Sequence, residues 1–388
     1  MFLIPYNKLS EEQKSVIRRI SRQDSNLFVQ GPPGSGKTLI SLYTLKEMIE
    51  ERAIRPLLLM YNHSLYGYLS KAMEELEVTD NVTIATKDKL FWDVSRDLGF
   101  RPQQWEEVYD AVKRRKVKKR RPYDKVYMDI LNFLKDESLP KYDFAVIDEV
   151  QDVSLEEWNL LKRMTTKVIS LGDFDQGVYD TNLQEWHITQ NANKESLTAI
   201  FRFHKHIAEL AEPFSRSKDS LVSKVTREES AVPMLYDVHS SEEADKIAEI
   251  LRSLRATRER VGILCPDRGL LVEMEKSLSD RGVNAKFYAK NNELREHDFT
   301  SNEPLLLTSF SAKGLEFEHV IMFGFNNDSA KVSEFAREQY LNDIIYVTIT
   351  RTNKNLYVIR NEKTVSAIKN MKVSQSNQSP ELSIDDLF

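Results

Sequence analysis

Short, nearly unbroken apolar runs alternate along the chain with longer stretches of helical period. The first such runs are Asn26–Gln30, Arg55–Tyr61, Asp143–Ile147 and Lys167–Leu171. Runs with so little alternation predict strands covered on both faces, the signature of a parallel sheet between helices. Ser10–Ile20 reads as a helix ahead of the first run. A Gly/Pro-rich loop, Gly31–Thr38, follows it and leads into a helical pattern from Leu39. Strand, loop and helix in that order open a parallel α/β domain. Residues 70–140 are long and charged and predict a mostly helical insertion. Around residue 200 the pattern restarts, with strand-like runs at Arg260–Cys265, Leu305–Ser309, His319–Phe323 and Asn355–Ile359. Helical stretches at Glu242–Arg255 and Arg268–Arg281 lie between them. The expectation is an α/β protein of two parallel-sheet domains. Residues 1–199 form the first, with a mainly helical insertion at about 70–140. Residues 200–372 form the second, and 373–388 are a flexible acidic tail.

The length, 388 residues, suits two or three domains. Net charge is −5 with 30% charged residues, so no global excess of positive charge points to a nucleic-acid partner. The basic character is local: Lys113–Arg121 carries eight positive charges, leaving about −13 on the remainder. Cys265 is the single cysteine, which excludes an internal disulfide and a cysteine-based zinc site and fits a reducing, cytoplasmic compartment. No apolar run is long enough to span a membrane, and the first residues lack the charged start and apolar core of a secretory signal.

The loop Gly31-Pro32-Pro33-Gly34-Ser35-Gly36-Lys37-Thr38 matches the phosphate-binding pattern G-x-x-x-x-G-K-[ST]. Its glycines let backbone N–H groups turn toward phosphate oxygens. Lys37 can reach the outer phosphates, the Thr38 hydroxyl can hold Mg²⁺, and the helix that follows presents its positive end. Asp148 and Glu149 follow an apolar strand. A carboxylate there can hold the metal, and its neighbour can deprotonate an attacking water.

These motifs, with those that follow them, resemble the UvrD/Rep-like group of superfamily 1 helicases, in order from about residue 8 to 360. Leu9-Ser10-Glu11-Glu12-Gln13 resembles the family's glutamine motif, in which the Gln reads adenine. Ser10-x-x-Gln13 is equally a helix capping box. Asp148-Glu149-Val150-Gln151-Asp152 matches the family's D-E-x-Q-D pattern. Gly172-Asp173-Phe174-Asp175-Gln176 matches the next motif, which implies a γ-phosphate sensor at Gln176. Phe201-Arg202 resembles the aromatic–arginine pair that stacks on the base and reaches the γ-phosphate. Thr308–Phe317 resembles the fifth motif, placing Gly314 and Glu316 near phosphate and ribose. Tyr346–Thr352 resembles the sixth, with Arg351 as second arginine. The resemblance implies two RecA-like domains, ATP and Mg²⁺ as cofactors, and an ATP-hydrolysing helicase/translocase of 3′→5′ polarity on single-stranded or partly duplex nucleic acid, DNA preferred. Gln13, Gly34, Ser35, Gly36, Lys37, Thr38, Phe201, Gly314 and Glu316 would bind nucleotide, with Thr38 and Asp148 on the metal. Lys37, Asp148, Glu149, Gln176, Arg202 and Arg351 would carry out hydrolysis.

Asn62, Thr86, Tyr179 and Phe310 stand where the family contacts the strand. Departures are specific. Asp180-Thr181 follows Tyr179 where the family usually has a second aromatic. Phe310 stands where it usually has His. Only 16 residues separate Tyr288 from Leu305, too few for the family's large second-domain insertion. The basic run Lys113–Arg121 is a further candidate for phosphate contact. The tail ends Leu382-Ser383-Ile384-Asp385-Asp386-Leu387-Phe388, an acidic stretch with an apolar tip suited to docking a protein partner. The alternative function is a DNA-stimulated ATPase switch that controls a partner, such as a nuclease in a repair or defence complex, without unwinding.

Overall fold

The computed structural model describes residues 3–51, 55–60, 63–78, 82–110, 115–174, 182–228, 231–288, 297 and 301–373. The chain divides into two compact units. One comprises Met1–Ala199 with Tyr288–Thr300, the other Ile200–Phe287 with Ser301–Phe388.

The first unit runs α1 (Glu11–Arg22), β1 (Asn26–Gln30), α2 (Lys37–Glu51), β2 (Pro56–Met60), α3 (His63–Glu75), β3 (Thr83–Thr86), α4 (Lys87–Asp97), β4 (Trp105–Asp110), β5 (Arg115–Arg120), α5 (Tyr123–Leu134), β6 (Phe144–Ile147), α6 (Leu155–Met164), β7 (Val168–Gly172), α7 (Glu185–Thr189) and β8 (Ala192–Ser196). Six of these strands form one parallel sheet in the order β3-β2-β6-β7-β1-β8. The apolar runs are continuous because the sheet is buried on both sides. Leu58 and Met60 of β2 face a core shared with Ile17, Ile40 and Leu69 of α1–α3. Leu57 and Leu59 alternate to the opposite core, with Phe91, Ile130 and Leu161 of α4–α6.

The second unit contributes α8 (Lys205–Ala211), β9 (Met234–Asp237), α9 (Glu243–Leu254), β10 (Val261–Cys265), α10 (Arg268–Asp280), β11 (Lys286–Phe287), β12 (Leu305–Thr308), β13 (Phe317–Met322), α11 (Ala330–Arg337), α12 (Leu341–Ile349), β14 (Thr352–Arg360) and α13 (Ser366–Lys369). Its sheet, also parallel, has the order β11-β12-β10-β13-β14-β9. Ile263 and Cys265 pack with Ile247, Leu251 and Leu271 of α9 and α10. The fold is therefore α/β with two RecA-like parallel sheets. No described helix is long and apolar enough to cross a membrane.

The basic run is an exception within the mainly helical stretch at about 70–140. Its described part forms β5, which pairs antiparallel with β4 as a hairpin standing apart from the main sheet. Lys and Arg are good helix formers, but here the register sets Glu106 opposite Lys119 and Glu107 opposite Lys118. Opposite charges across a ladder stabilise the strand pair by about 0.2–1 kcal/mol each. Lys113, Arg114 and residues 374–388, which include the tail's docking sequence, lie outside the described residues.

A tight point in the second sheet gives a test. A Cβ on Gly262 would meet ring atoms of Phe317 at 2.7–2.9 Å. Phe317 is itself buried and has little room to retreat. Gly262→Ala is expected to destabilise the chain by roughly 1–3 kcal/mol through overpacking. Denaturant unfolding followed by circular dichroism would show this as a lowered midpoint. An unchanged midpoint would mean that β10 and β13 can separate without cost.

Candidate nucleotide site and its relatives

The first unit gathers its polar groups at the carboxyl ends of β1, β6 and β7, where open α/β sheets place ligands. The loop after β1 adopts the conformation that its glycines allow. Gly34 has φ 77° and Gly36 φ 90°. A Cβ on Gly36 would meet Gln13 Nε2 at 2.3 Å, so only glycine fits there. Lys37 is buried, and its Nζ donates to the carbonyl oxygens of Gly31 (2.7 Å) and Pro32 (3.2 Å). Ser35 Oγ is buried with no hydrogen-bond partner among the described residues. The N-terminus of α2 begins at Lys37 and points its backbone donors into the same loop.

Gln13 fills the capping reading of its motif. Ser10 N donates to Gln13 Oε1 at 2.9 Å and Gln13 N donates to Ser10 Oγ at 3.1 Å, closing a capping box on α1. Its Nε2 then donates to Ser35 O of the phosphate loop at 2.8 Å. One amide thus ties the first helix to the loop.

The β6 end brings in the acids. Thr38 Oγ1 donates to Asp148 Oδ2 at 2.7 Å. Asp148 is buried, and burial, reinforced by the neighbouring Glu149 charge, pushes its carboxyl up to about 6 despite the Thr38 hydrogen bond and the Lys37 charge. Glu149 sits in the left-handed region at φ 56°, a strained backbone for a non-glycine residue. Gln151, the fourth position of the D-E-x-Q-D pattern, makes contacts on both sides. Its Nε2 donates to Glu149 Oε2, and its Oε1 accepts from Asp173 N at 3.1 Å. Gln176 and Tyr179 lie outside the described residues, as does Asn62. Thr86, at the end of β3, is buried with Oγ1 unpartnered.

Sequence reading missed a buried network beside these acids. Lys87 Nζ donates to Asp152 O (3.1 Å) and to Glu157 Oε2 (3.0 Å). Tyr127 donates to the other oxygen of Glu157 at 2.7 Å. Lys87 and Glu157 stand 70 residues apart, so nothing local in the sequence signals the pair.

The second unit brings its own candidates together. Arg202 Nε donates to Glu316 Oε1 at 2.8 Å and its Nη1 to Thr350 O at 3.2 Å. Burial works against the Glu316 charge, but the Arg202 charge and hydrogen bond hold its carboxyl below the usual range. Arg351 is buried. Its guanidinium donates to Val347 O (3.1 Å), Leu315 O (3.5 Å) and Thr350 Oγ1 (3.3 Å). Gly314, at φ 82°, makes the turn beside them. Phe201 is more than one-third exposed. Phe310 packs its ring against Phe335 at a centroid distance of 5.2 Å.

The raised Asp148 carboxyl has a consequence in the chain without ligand. Its folded value, about 6, exceeds the unfolded 3.8. The stability it contributes is therefore complete below about pH 3.8 and is lost as pH rises through about 6. Asp148→Asn keeps an acceptor for Thr38 and removes the charge. Its melting temperature should exceed that of the wild type at pH 7, and the difference should vanish near pH 4. Equal melting temperatures at pH 7 would show that Asp148 is not destabilised by its burial.

No curated protein matches this sequence significantly. Among solved structures, the C-terminal domain of a possible DNA helicase from Lactobacillus plantarum is 16% identical, with TM-score 0.34, over 45% of this chain and 95% of that one. The arterivirus nonstructural protein 10 helicase is 11% identical (TM-score 0.43, 89% of this chain, 62% of that one). The PRRSV helicase is 14% identical (TM-score 0.39, 90% of this chain, 55% of that one). This chain thus spans less than two thirds of either viral protein. Residues 13–182, which hold the phosphate loop and the acids of β6, match an AAA domain model. Residues 106–363, well over half the chain, match the UvrD-like helicase C-terminal domain, and the chain accordingly belongs to the UvrD-like superfamily 1 helicases.

Proposed function

We propose that the chain is an ATP-driven translocase on single-stranded nucleic acid, DNA in preference to RNA, moving 3′→5′. The observation that carries this is the grouping in the first unit of a glycine-turned loop, a buried Lys37, the Thr38–Asp148 pair and Glu149. Membership of the helicase family supports the same reading.

The residues fit a Mg²⁺–nucleotide. The loop holds a buried lysine whose ammonium donates to its own carbonyls, an unpartnered buried Ser35 hydroxyl and two positive-φ glycines. When bound, Mg²⁺ and ATP supply the scissile phosphoanhydride and a divalent charge across its phosphates. Lys37 would exchange its carbonyl partners for phosphate oxygens, and Thr38 Oγ1 and Asp148 would hold the metal, beside which the buried Asp148 carboxylate would be favoured in its ionised form. Glu149 accepts the proton of the attacking water at Oε1, while Gln151 orients the carboxylate through Oε2. Gln13 holds the loop through Ser35 and serves the adenine edge. The resemblance to the family implies that Gln176, Arg202 and Arg351 would serve the γ-phosphate, where positive charge favours the transition state, that Phe201 would stack on the base, and that Gly314 and Glu316 would serve phosphate and ribose.

The test is ATP turnover with and without single-stranded DNA. Single-stranded DNA should raise the rate severalfold. Glu149→Gln should lower kcat by roughly 10²–10⁴ while nucleotide still binds. Lys37→Ala should abolish turnover. Arg351→Ala should cost roughly 10³–10⁵ in kcat. Turnover indifferent to both DNA and RNA strands would sink the translocase reading. Turnover that survives Lys37→Ala would sink the assignment of the site itself.

A further inference from the structure

The first unit carries a second, separate concavity. Between the end of α4 and the start of β4 lies an open pocket of about 380 Å³ lined by Trp92, Phe100 and Trp105 together with Arg96 and Arg101. Its aromatic floor is fixed: Phe100 stacks on Phe133 of α5 at 4.4 Å and 8° between planes. Its rim is fixed by Arg101, whose Nη1 donates to the carbonyl oxygens of Arg96 and Phe100, both at 2.9 Å. Trp105, by contrast, stands 54% exposed, a large apolar surface left to water at the pocket's mouth.

The hairpin register decides what continues from that mouth. Trp105 pairs with Arg120 and Glu107 with Lys118, and residues at alternate positions share a face. Lys116, Lys118 and Arg120 therefore rise from the same face as Trp105, successive ones about 6.7 Å apart. All three are exposed. That repeat is of the order of the phosphate spacing in an extended strand. Glu107 shares the face and lies 3.7 Å from Lys116, and Asp93 lies 3.1 Å from Arg96. Pairs this exposed contribute little and yield readily to a phosphate.

We infer that this pocket and the cationic row beside it form a nucleotide-stacking site for single-stranded nucleic acid, with a base against Trp105 and Trp92 and the flanking phosphates on Lys118 and Arg120. The inference rests on the proposed function and deepens it, because it names a contact in the insertion distinct from Asn62, Thr86, Tyr179 and Phe310. An aromatic surface continued by a line of cations suits a strand, since stacking tolerates any base and the row follows the backbone. Stacking and phosphate contacts carry no base-edge readout, so the interactions invoked here are indifferent to sequence.

The experiment is fluorescence anisotropy of the full chain with labelled oligothymidylate and with an abasic oligomer of equal length, over a range of salt. Trp105→Ala should weaken oligothymidylate binding by roughly 5- to 100-fold and leave the abasic oligomer nearly unaffected. Trp105→Phe, which keeps a ring, should restore most of the affinity. Lys118→Ala with Arg120→Ala should weaken both ligands and reduce the salt dependence by about two counterions. Wild-type protein that binds no strand would overturn the proposed function and this site together. Wild-type binding that Trp105→Ala and the double variant leave unchanged would overturn this site alone and give the pocket to an acidic protein partner. Equal loss on both oligomers in Trp105→Ala, with no rescue by Phe, would also overturn stacking.

Discussion

The first unit is organised around a carboxylate that the fold has taken out of water. Asp148 sits at the end of a fully buried strand, and a bare charge there would be costly. Its neighbours reduce that cost incompletely: the Thr38 hydroxyl donates to it and Lys37 lies close, yet its carboxyl stays well above its ordinary value. A site with that imbalance favours a cation. The sheet order explains how the partners meet at all. β7 lies between β1 and β6, so the loops after β1 and β6 approach each other across the end of β7. That end is Gly172, where a Cβ would meet Gln151 Oε1 at 2.4 Å. The absence of a side chain at Gly172 lets Gln151 cross to Asp173 and brace Glu149. The strain of Glu149 in the left-handed region is borne by this bracing.

The second unit solves the mirror problem, the burial of cations. Arg351 donates to carbonyl and hydroxyl oxygens at 3.1–3.5 Å, and its charge also acts on the Glu316 carboxylate. Both guanidinium charges favour that carboxylate, and Arg202 also donates a hydrogen bond to it.

Much of the fold was legible because its signal was local. Asn26–Gln30 became β1 without change of bounds, and Arg268–Arg281 became α10 with its end one residue earlier. Both are patterns that burial on two faces, or on one, imposes on neighbouring residues. The β4–β5 hairpin was not legible, because charged residues fit a solvated helix and a solvated strand equally and only pairing across the turn decides. Nor did sequence reveal what Gln151 touches, or that Lys87 binds Glu157, since neither contact has a sequence period. The capping box at Ser10 and Gln13 was visible as a local motif, but its extension to Ser35 was not.

One helix connects the parts that sequence left separate. α4 begins at Lys87, whose ammonium holds Asp152 O just beyond the acids of β6, and its last turns carry Trp92 and Arg96 of the pocket. Eleven residues make this rod about 16 Å long. Its first turn is anchored by the buried pair Lys87–Glu157, in which loss of either partner would strand a charge. α4 therefore joins the pocket to the segment just after Glu149 through a single helix. Contact alone does not make coupling. That requires α4 to have two arrangements that strand and nucleotide favour differently. The buried ion pair makes such a second arrangement expensive unless Lys87 finds Asp152 and Glu157 again within it. A displacement of α4 that kept this pair would pivot about its Lys87 end, larger at the pocket and smaller at the acids of β6.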